Sequence, residues 1–127
     1  MNAPIRIVLD STAIAAYADR SIAVGEIITQ VGEENSLVAL PVACLAEAFL
    51  HIHEGELPLV AVLAAHPSTV VVNADVSDWL DLAGLARDLG RVDAATALML
   101  ALRTDGYILT KQPGLYDGFE GAPVIPF

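Results

Sequence analysis

The sequence predicts a three-layer α/β fold, in which a mostly parallel sheet of four or five strands has helices on both faces. Short aliphatic and β-branched runs alternate along the chain with longer segments whose apolar residues recur at helical spacing. Strands that are separated by helices in this way pair in parallel, and a parallel sheet is usually covered on both sides. With 127 residues, 55% of them hydrophobic, we expect one domain spanning residues 1–127.

The first predicted strand, Ile5–Leu9, is an apolar run that ends at Asp10, and a helix-like stretch continues from Ser11 to Tyr17. The next helix is expected to begin after Asp19 or Ser21, because both residue types cap helices. Four apolar residues define one face of that helix at i, i+3, i+4 and i+7: Val24, Ile27, Ile28 and Val31.

A second strand is predicted at residues 36–40, and Pro41 is well placed to open the helix that follows. This helix is expected to run to Gly55 and to bury a second stripe of apolar residues. The stripe consists of Leu45, Ala48, Phe49 and Ile52. A further short helix is expected at residues 57–65, followed by a third strand at residues 69–72.

The second half of the chain predicts two helices and two strands. Ser77 is the candidate N-cap of the first helix, which ends at Gly90. Its expected inward face consists of Trp79, Leu82, Ala83 and Ala86. The second helix, residues 94–102, is apolar nearly all round, which is typical of a central helix. A fourth strand at residues 107–109 and a short edge strand at residues 123–125 complete the pattern.

Composition limits the classes of function. The formal net charge is −10, which argues against a broad basic surface for nucleic acid but permits an acidic cleft that holds cations, or a basic partner. Cys44 is the only cysteine and lies among apolar residues, so we expect a buried, inert thiol and a reducing compartment. The longest apolar stretch, residues 37–46, is too short to span a membrane, and residues 1–10 are too short for a signal peptide. These observations predict a cytoplasmic protein.

Four oxygen-bearing side chains are expected near one edge of the sheet. Asp10 follows the first strand, Gln112 follows the fourth, Asp93 opens the helix before that strand, and Glu47 lies on the helix after the second. Ligands of open parallel sheets bind at the carboxyl ends of the strands, and Mg²⁺ and Mn²⁺ prefer oxygen ligands. Each residue also has a structural interpretation, since the two aspartates are good N-caps and Glu47 could simply face solvent.

Four segments resemble, in order, the motifs of PIN domains, the family that includes VapC-type toxins. Residues 7–12 (IVLDST) are similar to the opening strand-Asp-Ser/Thr motif, and residues 41–47 (PVACLAE) to a helix carrying an acidic residue. Residues 93–97 (DAATA) resemble the third motif, Asp-Ala followed by small residues. Residues 107–112 (YILTKQ) resemble the fourth, an apolar strand followed by Thr-x-Asp, but Gln112 stands where the family has Asp.

The resemblance implies Mg²⁺- or Mn²⁺-dependent hydrolysis of RNA, often by a toxin paired with a small basic antitoxin protein. The resemblance implies that Asp10, Glu47 and Asp93 hold the metal and position water, and that Gln112 is a weak fourth ligand. Two hydroxyl residues, Ser11 and Thr110, are candidates for contacts to water and phosphate, or for structural roles in turns. The alternative is a catalytically weakened protein-binding module, because a glutamine brings no charge to the site. The high apolar content favours a homodimer.

Other functional classes agree less well with the sequence. His51 and His53 lie two residues apart and cannot share a helix face, which disfavours a zinc site. His51 can pair with Glu47 at i, i+4. A phosphoacceptor signalling domain would use Asp10, Asp75 and Lys111, but such domains usually have a second acidic residue where Ser11 stands. No phosphate-binding glycine loop and no Gly-x-Ser-x-Gly motif is present.

Overall fold

The computed structural model describes residues 3–127, so Met1 and Asn2, which belong to the predicted domain and N-terminal segment, lie outside the described residues. The strands of this part of the chain are β1 (Ile5–Leu9), β2 (Leu37–Pro41), β3 (Thr69–Val72), β4 (Tyr107–Thr110) and β5 (Val124–Pro126). The α-helices are α1 (Ser11–Ala18), α2 (Ile22–Glu33), α3 (Val42–Phe49), α4 (Leu57–Ala64), α5 (Trp79–Leu89) and α6 (Val92–Thr104). Short 3-10 helices cover Glu54–Glu56, Val76–Asp78 and Pro113–Tyr116.

The five strands form one sheet in the order β3-β2-β1-β4-β5, and all neighbours pair in parallel. From β1 the chain moves to β2 and β3 on one side, then returns across the sheet to β4 and β5. Because crossovers between parallel strands are right-handed, α1–α4 and α5–α6 cover opposite faces. The predicted three-layer α/β fold is therefore confirmed.

Burial of the central strands agrees with this arrangement. Consecutive residues of β1, β2 and β4 are buried, namely Ile7–Leu9, Val38–Pro41 and Ile108–Thr110. A strand whose neighbouring residues are all buried must be covered on both faces, since successive side chains point to opposite sides. The edge strands β3 and β5 are only partly buried. The side chains of the central α6 are largely buried, as its composition predicts.

The predicted extent of α3 is wrong, and its predicted face is right only in part: Leu45, Ala48 and Ile52 pack in or against the core, but Phe49 does not. The helix ends at Phe49 rather than Gly55, and its buried residues are Cys44 and Ala48, whereas Phe49 is half-exposed. The buried pair is small, which allows α3 to approach α6 closely enough for the Cys44 thiol to donate a hydrogen bond to the Asp93 carbonyl at 3.3 Å. Small side chains thus occupy the fully buried positions of α3, and the larger Leu45 packs beside them against the core.

Two N-cap predictions in the second half are also wrong. Ser77 lies inside a 3-10 helix capped by Asp75, whose side chain accepts from the Ser77 amide at 3.2 Å. Asp93 does not cap α6, because the helix begins at Val92, before Asp93, and Arg91 is at the cap position.

The inward face of α5 differs from the prediction as well. Trp79 and Ala83 are exposed, and the partly buried residues are Leu82, Leu85, Ala86 and Leu89. Both stripes have helical spacing, so periodicity alone does not choose between them.

None of the helices within residues 3–127 is long and apolar enough to cross a membrane.

Candidate functional site

Asp10 lies directly after β1 at the carboxyl edge of the sheet and is fully buried. Its Oδ1 accepts hydrogen bonds from the Ala13 amide at 3.0 Å and from the Thr12 hydroxyl at 2.6 Å, so it caps α1. Its Oδ2 accepts from the hydroxyl of Tyr116 at 2.8 Å. The structural interpretation of Asp10 as an N-cap is therefore correct, and both of its oxygens already have donors.

Asp93 lies in the first turn of α6, where a negative charge interacts favourably with the helix dipole. The guanidinium of Arg91 donates to both of its oxygens, from Nε at 3.0 Å and from Nη2 at 2.9 Å. The hydroxyl of Ser11 donates to Oδ2 at 2.8 Å. Burial opposes ionisation of Asp93, but the hydrogen bonds from Arg91 and Ser11 outweigh it and hold the pKa of this carboxyl below its usual value.

Glu47 reaches the same cluster from α3. Its Oε1 accepts from Arg91 Nη2 at 3.3 Å and lies 3.2 Å from Nε2 of His51, which follows the end of α3. Hydrogen bonding to Asp93, together with the charges of Asp93, Glu47 and Asp10, raises the pKa of Arg91. Of the three carboxylates that the sequence singled out, Glu47 and Asp93 thus bond one cation, the Arg91 guanidinium. The oxygens of Asp10 instead accept hydrogen bonds from Thr12, Ala13 and Tyr116.

The two hydroxyl candidates have different surroundings. Ser11 belongs to the carboxylate cluster through its bond to Asp93. Thr110 is fully buried, lies 3.3 Å from the Thr12 hydroxyl, and accepts a hydrogen bond from the Gln112 amide at 3.1 Å. Thr12 in turn accepts from the Lys111 amide at 2.8 Å. Thr110 and Thr12 therefore attach the segment after β4 to the start of α1.

Gln112 lies at the edge of the site. Its side chain is exposed and forms no hydrogen bond with residues 3–127, but it lines the groove that opens beside Ser11. Asp117, the nearby carboxylate that could compensate for the missing fourth aspartate, is exposed and does not line that groove.

Two further buried side chains, Cys44 and Tyr116, adjoin the carboxylates, and Tyr116 was not among the residues predicted from the sequence. Its hydroxyl is buried against Asp10, and burial together with the Asp10 charge raises the pKa of this phenol. The predicted buried thiol of Cys44 is confirmed, and burial with the nearby charges of Asp10 and Asp93 raises its pKa well above the ordinary value. Both groups stay protonated at neutral pH and donate hydrogen bonds.

Two grooves border the cluster. One, of about 510 Å³, lies beside Ser11 and Thr12, and its basic or amide-bearing lining residues are His51, His53, Arg91, Lys111 and Gln112. The other, of about 540 Å³, lies between α3 and α6 and includes the exposed side chains of Leu50 and Val92 beside Glu47 and Asp93. Arg91 lines both grooves and forms the wall between them.

The donor chemistry of the cluster suits a hard cation, since carboxylate and hydroxyl oxygens are the ligands that Mg²⁺ and Mn²⁺ prefer. Within residues 3–127, however, no three His, Cys, Asp or Glu side chains are arranged as a ready metal site. The cation that Asp93 and Glu47 contact in this structure is the Arg91 guanidinium. As they are arranged here the residues do not form an ion site: an ion would have to displace Arg91 from Asp93 and Glu47, and both oxygens of Asp10 already have donors.

Comparison with known proteins supports the fold. No family model and no curated protein matches the chain. The crystal structure of PAE2754 from Pyrobaculum aerophilum superimposes on 94% of this chain and 83% of that chain, with a TM-score of 0.63 and 14% sequence identity. At this identity the similarity extends to the fold alone: the chain shares its three-layer α/β architecture with PAE2754.

Proposed function

We propose that this chain is a PIN-like, Mg²⁺- or Mn²⁺-dependent ribonuclease of the VapC-toxin kind. The observation that carries the proposal is the pairing of Glu47 and Asp93 with one cation, Arg91, next to Ser11 and the buried Asp10 at the end of β1. These residues come from three separate segments of the chain and lie where parallel sheets bind ligands.

Asp10, Glu47 and Asp93 would hold the ion, with Gln112 as a weak additional oxygen ligand. When bound, a divalent ion lowers the pKa of water and offsets charge that develops at phosphorus. The other residues orient the ligands: Ser11 fixes one oxygen of Asp93, and Tyr116 fixes one oxygen of Asp10. Such outer hydrogen bonds commonly tune a metal site.

An RNA substrate has to approach a protein with a net charge of −10. Of the nine Lys, Arg and His residues in the sequence, four line the groove beside Ser11. These four are His51, His53, Arg91 and Lys111. Two acidic residues, Asp19 and Glu56, also line this groove, and Glu56 accepts a hydrogen bond from the backbone amide of His53 at 2.9 Å. The groove beside Ser11 is therefore the proposed path of the phosphate backbone.

The proposed protein partner is a small basic antitoxin. The groove between α3 and α6 combines exposed Leu50 and Val92 with the carboxylates of Glu47 and Asp93, so an apolar segment carrying a basic side chain complements it. Association into a homodimer is also proposed, since large apolar side chains on α5, including Trp79 and Leu80, are two-thirds exposed.

The first test is calorimetric titration of Mn²⁺ into metal-free protein, with Asp10→Asn and Asp93→Asn beside it. We expect binding by the wild type and loss of binding in both variants. Asp117→Asn is the matched control, because Asp117 is exposed and lies outside the groove. Cleavage of a labelled single-stranded RNA should then require Mn²⁺ and stop with the same two substitutions. No binding at millimolar Mn²⁺ would contradict the proposal.

A second candidate function is a protein-binding module without catalysis. Two observations favour it: Gln112 brings no charge, and the Arg91 guanidinium already neutralises part of the cluster. This candidate predicts that a basic peptide binds while Mn²⁺ does not. The titration above separates it from the ribonuclease.

A further inference from the structure

We infer that the outer side of β3 is a docking site for an extended, basic segment of a partner protein, which adds to the sheet as a further strand. β3 is the last strand on its side of the sheet, two strands away from β1 and Asp10. The inference goes beyond the proposed function, because it uses no residue of the carboxylate cluster and holds whether or not the chain cleaves RNA.

The backbone of β3 leaves hydrogen-bonding groups unpaired on this outer side. Within residues 3–127 β3 pairs with β2 alone, and the Val38 amide donates to the Ser68 carbonyl at 2.9 Å. Because successive residues of a strand direct their backbone groups to alternate sides, Val70 and Val72 also face β2, whereas Val71 faces outward. The N–H and C=O of Val71 are thus available to another strand.

The edge strand on the opposite side of the sheet is protected against such pairing. In β5 the Pro123 carbonyl accepts from the Ile108 amide, so by the same alternation Val124 and Pro126 face outward. Pro126 has no N–H, and proline is one of the residues that block pairing at a sheet edge. β3, by contrast, is in unbroken register with β2 and contains no proline and no charged residue. Its outer side is therefore open to a guest strand.

The exposed side chains beside β3 are apolar. Val71 is 44% exposed and lies on the same face of the sheet as Thr69, whose hydroxyl donates to the Leu63 carbonyl of α4 at 2.6 Å. On α4 itself, Val62 is 56% exposed. Side chains of β-branched residues stabilise one another across a pair of strands. The central part of the guest segment is therefore expected to carry Val, Ile or Thr.

Charge determines which guest fits. Residues 21–86 form α2, β2, α3, α4, β3 and most of α5, and they contain nine Asp and Glu residues but no Lys or Arg. A basic segment is attracted to such a surface. A second copy of this chain would place acidic residues against acidic residues, so charge favours a basic partner over self-association through β3.

Acidic side chains lie near the start of β3. Gly32 of α2 lies directly against Ser68, the residue before β3, since a Cβ on this glycine would overlap the Ser68 hydroxyl. The next two residues, Glu33 and Glu34, are exposed and border a hollow together with His66. A lysine or arginine at this end of the guest would therefore face two carboxylates.

Acidic side chains also lie near the end of β3. Asp75 and Asp78 line a hollow of about 150 Å³ together with Val72, the last residue of the strand. Arg103 of α6 reaches the same hollow but is already paired with Asp78 and Asp81, and three carboxylates against one guanidinium leave a net negative charge. The guest is therefore expected to carry basic residues at both ends, separated by about 13 Å, the length of four strand residues.

The test is an NMR titration of the isotope-labelled full chain with a synthetic peptide that has lysine pairs at both ends and a central Thr-Val-Thr-Val-Thr segment. We expect the Val71 amide to exchange rapidly with solvent in the free protein and at least about tenfold more slowly when the peptide is bound. A peptide with glutamates in place of the lysines is the charge control. A peptide N-methylated in its central segment is the hydrogen-bond control. Both should bind at least about tenfold more weakly.

Two sets of variants test the protein side. Val71→Pro removes the outward N–H and should weaken peptide binding about 2- to 10-fold, whereas the matched control Val71→Thr keeps the N–H and should bind as wild type does. Glu33→Gln combined with Glu34→Gln should weaken binding about 2- to 20-fold. Its matched control is Asp88→Asn with Asp117→Asn, which removes two exposed charges elsewhere. The N-methylated peptide tests the same hydrogen bonds if Val71→Pro fails to fold.

Binding of the lysine peptide that protects Val71, and that both control peptides lose, supports the inference. Equal binding of the glutamate peptide overturns it, as does binding that leaves Val71 exchange unchanged. Absence of binding at up to about 1 mM lysine peptide also overturns it. Protection of Val71 that rises with protein concentration, without peptide, identifies a second copy as the occupant and overturns it as well. None of these results depends on Mn²⁺, so the ribonuclease proposal stands or fails separately.

Discussion

Replacing Tyr116 with Phe removes one hydrogen bond at the centre of the site with little change of shape. The Tyr116 hydroxyl donates to Oδ2 of Asp10 at 2.8 Å, and Asp10 is fully buried. Hydrogen bonds to charged groups contribute roughly 1.5–3 kcal/mol, and a buried acceptor left without a donor costs a similar amount. We expect Tyr116→Phe to lower the free energy of unfolding by about 2 kcal/mol. For a domain of this size, that corresponds to a fall in Tm of roughly 6–10 °C.

The assay is urea unfolding at neutral pH, read out by circular dichroism, with Tyr107→Phe as the matched control. Tyr107 lies on β4 and is half-exposed, so its hydroxyl should change stability by less than about 0.5 kcal/mol. The same substitution in an Asp10→Asn background isolates the pair, because the charged acceptor is then absent. A loss below about 0.5 kcal/mol for Tyr116→Phe, or an equal loss in both backgrounds, would refute the assignment of this hydrogen bond.

Three further predictions address charge, backbone and metal. The pKa of Asp93 is lowered in the folded protein, so the contribution of its carboxylate to stability is present above about pH 4 and is lost as the pH falls through the folded value. Asp93→Asn should therefore be less stable than wild type at pH 7 but lose less stability between about pH 5 and pH 2, as measured by urea midpoints. A Cβ at Gly118 would overlap a backbone carbonyl of α5, so Gly118→Ala should lower the free energy of unfolding by about 1–3 kcal/mol. Gly84 has open space around it inside α5, so Gly84→Ala should raise that free energy by about 0.5–1 kcal/mol. Equal shifts of Tm in the two variants would contradict this. Gln112→Asp adds a carboxylate at the groove and should increase the proposed Mn²⁺ affinity, measured by calorimetry, about tenfold, or roughly 1.4 kcal/mol. The control Gln30→Asp, at an exposed position, should not change that affinity.

The strands and their order along the chain were predictable because their signals are local. Each buried strand is an apolar run that ends at a polar or turn residue, and Ile5–Leu9 is predicted to the residue. The position of Asp10 at the end of a central strand follows from the same pattern. The buried α6 follows from its composition, since a helix without a polar face has to be covered by other elements.

The features that could not be predicted from the sequence are those that depend on tertiary contacts. Tyr116 donates to a carboxylate 106 residues away, from a 3-10 helix that periodicity does not reveal. Arg91 pairs with Asp93, two residues away, and with Glu47 on another helix, and only the packing of α3 against α6 brings them together. The face of α5 was predicted only in part: Leu82 and Ala86 lie inward as predicted. Two overlapping stripes share the helical period, and only contact with α6 selects Leu85 and Leu89 over Trp79.

The central position of β1 has a consequence for synthesis on the ribosome. β1 pairs with β2 on one side and with β4 on the other, and β4 begins only at Tyr107. One edge of the first strand therefore stays open while about a hundred residues are translated, which exposes backbone groups that favour association with other chains. Until residues 91–116 have emerged, Asp10 lacks the hydrogen bond from Tyr116, and the contact between Arg91 and Asp93 cannot form. Incomplete nascent chains would carry Asp10 without the rest of the site.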